Sequence, residues 1–119
     1  MIKFYCYPKC STCQKAKKFL DMNNVNYELI DIKKVKFSIL DIKYFHQHSQ
    51  KELRKLFNTS GILYKEMNLK DKIKSMSEDE IYEVLSSDTM LIKRPILVTA
   101  QKVYIGFNED EYQELLKKI

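Results

Sequence analysis

The stretch Ile2-Lys3-Phe4-Tyr5-Cys6-Tyr7-Pro8-Lys9-Cys10-Ser11-Thr12-Cys13 decides how this chain is read. Ile2 to Cys6 is a short apolar run that reads as a buried strand, and Pro8 ends it. From Ser11 the apolar period lengthens. Cys13, Ala16, Phe19 and Leu20 recur in three- and four-residue steps with lysines between them, the pattern of an amphipathic helix of about three turns. Asn23-Asn24 stops it. Val25, Tyr27 and Leu29 then alternate with Asn26, Glu28 and Ile30, which predicts a second strand. A helical crossover of this size makes the two strands parallel, with a right-handed connection.

Working outward, the middle of the chain reads as helical. Ser38 with Asp41, Ser49 with Glu52 and Ser77 with Glu80 each place an acid three residues after a hydroxyl, the signature of a capped helix start. The apolar sets Ile39-Ile42-Phe45, Leu53-Leu56-Phe57 and Ile81-Val84-Leu85 follow them, and a short helix is predicted over Leu69 to Met76. Asn58-Thr59-Ser60-Gly61 interrupts the region, with Gly61 suited to a helix end or turn. The period then returns to two. Ile96 to Thr99 and Val103 to Ile105 read as strands separated by a turn at 100–102, close enough to form an antiparallel hairpin closed by Gly106. Asn108 with Glu111 caps a last helix carrying Tyr112, Leu115, Leu116 and Ile119.

The order is βαβ, a helical block, then ββα. We expect an α/β chain of one domain: a four-stranded mixed sheet in the thioredoxin arrangement, with an all-helical insertion at about residues 36–90. Its 119 residues suffice for one core, burying roughly two-thirds of the extended chain's surface. The longest apolar stretch is only a few residues, so no membrane-spanning helix is expected. The start at Met-Ile-Lys-Phe shows no apolar signal segment, and the expected address is the cytoplasm. The net charge of +5 is spread along the chain without a block of like charges. It reads as a solvated surface rather than a direct nucleic-acid interface. A monomer is expected.

Cys6, Cys10 and Cys13 are the only cysteines. An odd, clustered set is not a secreted disulfide framework, and in a cytoplasmic chain it suggests redox or metal chemistry. The spacing C-x₃-C-x₂-C occurs in iron–sulfur radical enzymes, but those need a far longer barrel, and Cys6 falls on the first strand as a small buried hydrophobe. A structural zinc wants four ligands, and His46 and His48 point to different faces of one helix, so no metal site is expected. What remains is Cys10-Ser11-Thr12-Cys13, a CxxC at a strand-to-helix turn. The free amides and positive dipole of a helix start favour a thiolate at Cys10, and Lys9 adds charge nearby. Cys13, one turn on, can attack a mixed disulfide on Cys10 and release the product. Arg94-Pro95 enters the third strand. A cis proline there would face the CxxC turn, and Arg94 would direct its guanidinium at Cys10.

Three stretches carry a resemblance: Tyr7-Pro8-Lys9-Cys10-Ser11-Thr12-Cys13-Gln14-Lys15-Ala16, Leu56-Phe57-Asn58-Thr59-Ser60-Gly61 and Leu91-Ile92-Lys93-Arg94-Pro95-Ile96. Together they resemble the arsenate reductase (ArsC)/Spx family of thioredoxin-fold proteins over essentially the whole chain. The resemblance implies a thiol-dependent reductase or a redox switch. Cys10, Cys13 and Arg94 match its reactive positions, and Lys9, Ser11, Thr12, Asn58 and Pro95 are the supporting candidates. It implies no bound cofactor. The implied reductant is glutathione, another low-molecular-weight thiol, or a glutaredoxin- or thioredoxin-type protein.

Two better-known activities of the family are alternatives. Arsenate reduction uses one cysteine beside three arginines. Cys10 and Arg94 match, but the other two positions read Leu56-Phe57-Asn58 and Ile105-Gly106-Phe107-Asn108, so the oxyanion cradle is incomplete. The Spx type is a redox-sensing regulator that binds RNA polymerase through a surface that cannot be placed here residue by residue. The chain, read as ending with its last helix, carries no polar C-terminal extension.

Overall fold

A computed structural model describes residues Met1–Ile119. They form two compact units: Met1–Asp31 with Arg94–Ile119, and Ile32–Lys93.

The first unit is built on β1 (Ile2–Cys6), α1 (Ser11–Met22), β2 (Tyr27–Asp31), β3 (Ile96–Val98), β4 (Val103–Ile105) and α6 (Glu109–Lys118). The strand order is β2-β1-β3-β4. β1 runs parallel to β2, and β1–β3 and β3–β4 are antiparallel. Register places Leu29, Phe4, Leu97 and Tyr104 in one row across the sheet. Phe4, Leu97 and Tyr104 are buried in a cluster with Cys13, Ala16 and Leu20 of α1 and Tyr112 and Leu115 of α6, so both helices share one face. The α1 residues sit three and four apart, which puts them on one side of the helix. Phe19, Phe107 and Tyr112 tie the two helices together, with Phe107 and Tyr112 edge-to-face at 4.8 Å.

Local chemistry sets the boundaries. Asn24 adopts a left-handed conformation (φ 56°), which asparagine tolerates well. The Asn23 side chain donates to the Phe19 carbonyl at 2.8 Å, and α1 ends there. β2 is shorter than its apolar alternation suggests: Val25 is buried ahead of it, and within it, at one edge of the sheet, Leu29 is 53% exposed. Thr99 is not part of β3. Its hydroxyl donates to the Lys102 carbonyl and accepts the Lys102 amide, so it braces the hairpin turn.

The second unit contains α2 (Ile39–Ser49), α3 (Ile62–Glu66), α4 (Leu69–Lys72) and α5 (Glu78–Ser87), with 3₁₀ turns between α2 and α3 and between α4 and α5. Ser38 and Ser77 form reciprocal capping boxes with Asp41 and Glu80. Ser49 does not start a helix. It is the last residue of α2, buried, with its hydroxyl on the His46 carbonyl, and Leu53–Leu56 form only a 3₁₀ turn. α2 packs on α5. His46 reaches the Tyr82 hydroxyl at 2.6 Å and His48 stacks on Tyr44, so the two histidines do face different ways.

Candidate active site

The site forms where β1 runs out and α1 begins. Residues 7–10 make a tight turn closed by the Cys10 amide on the Tyr7 carbonyl at 2.9 Å. Gln14 steadies it by donating from its side chain to the Pro8 carbonyl at 3.0 Å. Cys10 is the N-cap of α1, in extended conformation, and no side chain caps the helix start. The first-turn amides are therefore left for whatever lies in front of them.

The Cys10 sulfur is what lies there. Burial works against its thiolate, but the Cys13 amide, the Arg94 guanidinium and the Cys13 thiol outweigh that cost and hold its pKa below the ordinary thiol value. Partial exposure leaves it open to a reactant. Arg94 lies over the Tyr7 ring, 4.9 Å from its centroid, a stacking that aims the guanidinium. The Arg94–Pro95 bond is cis, and the Pro95 carbonyl accepts the Gly106 amide at 2.8 Å. Gly106 has φ 77°, where a side chain would be strained.

Cys13 is fully buried. Burial pushes its thiol far up, with Cys6 and Cys10 nearby adding to the rise, although the Tyr7 amide donates to its sulfur at 3.3 Å. Cys6 is buried as well, and its thiol is raised chiefly by burial. The two members of the CxxC thus differ: Cys10 is partly exposed with its thiol pKa lowered, and Cys13 is buried with its thiol pKa raised.

The structure brings Cys10, Cys13 and Arg94 together, with Pro95 following directly. Ser11 and Thr12 form the first helical positions between the cysteines. Lys9 is exposed, and Arg94, not Lys9, is the cation that bears most on Cys10. Asn58 belongs to the second unit. Its amide nitrogen donates to the Leu91 carbonyl at 2.8 Å, and its side chain lies against the Met90 carbonyl and the Ser60 hydroxyl.

Sequence reasoning missed Tyr7. It touches three parts of the site at once: its carbonyl holds Cys10, its amide holds Cys13 and its ring holds Arg94. The only signal was its place before Pro8. Tyr112 was read as a helix apolar residue. Its ring is, but its hydroxyl is buried with no hydrogen-bond partner.

A mixed β2-β1-β3-β4 sheet, a CxxC at the start of the first helix and a cis proline entering β3 define a thioredoxin-like α/β protein. Within that class the chain belongs to the ArsC family, whose model matches residues 5–115. It is 47% identical to the uncharacterized protein YusI of Bacillus subtilis over 95% of this chain and 96% of that one. A crystal structure described as a possible arsenate reductase from Streptococcus mutans is 45% identical, covers 95% of this chain and 98% of its own, and has a TM-score of 0.84. The global transcriptional regulator Spx of Lactiplantibacillus plantarum is 25% identical over 99% of this chain and 88% of its own length.

Proposed function

We propose that this protein is an ArsC-family thiol–disulfide oxidoreductase of the cytoplasm that works through Cys10 and Cys13. The observation that carries the reading is the Cys10 sulfur held by the Cys13 amide and the Arg94 guanidinium, with the Cys13 thiol beside it. The Cys10 thiolate attacks a substrate disulfide, forms a mixed disulfide and expels one thiolate. Cys13 loses its proton to the departing thiolate and attacks the Cys10 sulfur. The second thiol leaves reduced, and a Cys10–Cys13 disulfide remains. Two equivalents of a low-molecular-weight thiol, or one dithiol protein of the glutaredoxin or thioredoxin type, restore the dithiol. No bound cofactor enters these steps.

The test is reduction of a glutathione mixed disulfide under steady-state conditions. Cys10→Ser abolishes turnover. Cys13→Ser stops after the first step and accumulates a mixed disulfide on Cys10, seen by intact mass. Turnover that survives Cys10→Ser overturns the proposal.

The alignment with Spx over nearly the whole chain favours a second reading. There the same pair reports redox state to a protein partner such as RNA polymerase, without turnover. Inactivity in the assay above, combined with redox-dependent retention of polymerase subunits, selects it.

A further inference from the structure

The tip of the turn between β1 and α1 is Pro8-Lys9, both exposed and directly ahead of Cys10. Proline has no N–H, so its carbonyl is the one backbone group by which Pro8 can be held through a hydrogen bond. Gln14, at the end of the first turn of α1, takes that carbonyl. Its side-chain amide reaches back six residues and donates to the Pro8 oxygen at 3.0 Å, and its own backbone N–H donates to the Cys10 carbonyl at 3.1 Å. One residue thus grips the loop at two points, on either side of Lys9. An exposed glutamine has much rotamer freedom to lose, and here its side chain lies along the loop instead of extending into water. The loop it grips is the one that carries Tyr7. That residue accepts the Cys10 amide at 2.9 Å, donates to the Cys13 sulfur at 3.3 Å and places its ring centroid 4.9 Å from the Arg94 guanidinium.

We infer that Gln14 is a positioning residue of the thiol site: it clamps the turn at residues 7–10 onto the first turn of α1 and so holds Tyr7 where its ring meets Arg94. The inference rests on the Cys10/Cys13 reading above. Gln14 touches no reacting atom and acts through Tyr7, which directly precedes the clamped Pro8. With the clamp open, Pro8 and Lys9 swing outward, the Tyr7 ring leaves Arg94, and the guanidinium is no longer aimed by its stacking. What the position requires is a hydrogen-bond donor at the end of a side chain of this length. Methionine has the length without the donor. Lysine has both, since its ammonium group only donates.

Gln14→Met and Gln14→Lys test the donor. Gln14 is exposed, so neither change opens a cavity, and both keep a straight-chain helix former in α1. Loop opening is read by trypsin cleavage after Lys9, which follows the open population when opening is fast. Cys10 ionisation is read by the pH profile of iodoacetamide labelling in a Cys6→Ser, Cys13→Ser background. That profile is taken at about 1 M salt, where the screening length is about 3 Å and the charge of an added lysine is damped. Loss of one such hydrogen bond multiplies the open population about two- to ten-fold. Gln14→Met should be cut after Lys9 faster by that factor, and its Cys10 midpoint should move upward. Gln14→Lys should bring both back toward the parent values. An unmoved midpoint in Gln14→Met overturns the inference, because the clamp would then be structural alone. So does a midpoint that moves while cleavage stays at the parent rate, or one that moves equally in both variants. These readouts follow the thiol and the loop and not turnover. The proposed function falls on a different result, a wild type that fails to reduce a glutathione mixed disulfide.

Discussion

The backbone N–H of Tyr7 donates to the Cys13 sulfur across 3.3 Å. A turn residue on one side of Cys10 thereby positions the buried thiol on the other. The same turn carries the Tyr7 ring under Arg94, so one short loop touches Cys10, Cys13 and Arg94. Removing the ring leaves the amide in place, which separates the two roles. Tyr7→Ala should loosen Arg94 and slow the alkylation of Cys10 at neutral pH, while Cys10–Cys13 disulfide formation persists. Iodoacetamide kinetics and intact mass read the two effects independently.

Arg94 itself should matter more. It bonds the Cys10 thiolate and adds its charge at close range. A hydrogen bond to a charged group contributes about 1.5–3 kcal/mol. Solvent screening at this half-exposed position brings that toward the lower end. Arg94→Ala should therefore slow thiolate attack about ten-fold at pH 7 and move the alkylation midpoint of Cys10 upward. The profile is measured in a Cys6→Ser, Cys13→Ser background. An unmoved midpoint would remove Arg94 from the site.

The strand–helix–strand opening, the final hairpin and the CxxC were legible because they rest on local signals: a period change at Ser11, a proline and a glycine at the right ends, and two cysteines at a helix start. The same local logic found the capping boxes at Ser38 and Ser77 and failed at Ser49. There an identical Ser-x-x-Glu spacing ends a helix, because Gln50 turns left-handed (φ 58°) and Ser49 is buried by packing. The contacts of Tyr7 with Cys10, Cys13 and Arg94 depend on how the turn folds over α1 and β3, which no spacing encodes.

The buried thiols predict how the reduced protein responds to alkali. In the folded state Cys13 and Cys6 are both raised above the ordinary thiol value of 9.0, mainly by burial. The unfolded chain loses these protons first, so their stabilisation is complete below pH 9 and declines as the pH rises toward the folded values. Each group contributes a slope of about 1.4 kcal/mol per pH unit in that window. Cys10 has the opposite sign. Its depressed folded value gives stability that is present above pH 9 and is lost as the pH falls through that lower value. Thermal unfolding of the reduced protein should show a falling Tm between about pH 9 and 11. Cys6→Ala should flatten the slope there, and a slope unchanged from wild type would contradict the burial of Cys6.

Tyr112 offers a stability test in the other direction. Its hydroxyl is buried without a partner, while its ring packs on Phe19, Tyr104 and Phe107. Tyr112→Phe keeps the packing and deletes the costly group, so it should stabilise the reduced protein by about 1 kcal/mol, a Tm gain of about 4 °C for a chain of this size. Tyr112→Ala should cost about 3–5 kcal/mol by opening a cavity. A destabilised Tyr112→Phe would mean that the hydroxyl has an acceptor in solution, with the neighbouring thiols as the candidates.

Arsenate reduction should be weak or absent. Thiolate attack on arsenate brings two negative charges together, and fixed cations must offset that repulsion along the whole reaction path. At Cys10 the bonded cation is Arg94. The two further positions where the family resemblance looks for arginine hold uncharged side chains, Asn58 and the Phe107-Asn108 pair. Asn58 is moreover occupied within its own unit, anchored through its amide to Leu91 and by its side chain beside Met90 and Ser60. Loss of one preorganised donor typically costs about 10²–10³-fold in rate, and two are missing. A coupled assay with glutathione, glutaredoxin and NADPH across an arsenate series should give no saturable turnover, while the same protein reduces a glutathione mixed disulfide. Saturable arsenate turnover that disappears in Cys10→Ser would reverse this conclusion. It would require another cation, with Lys9 the nearest in sequence, to complete the cradle.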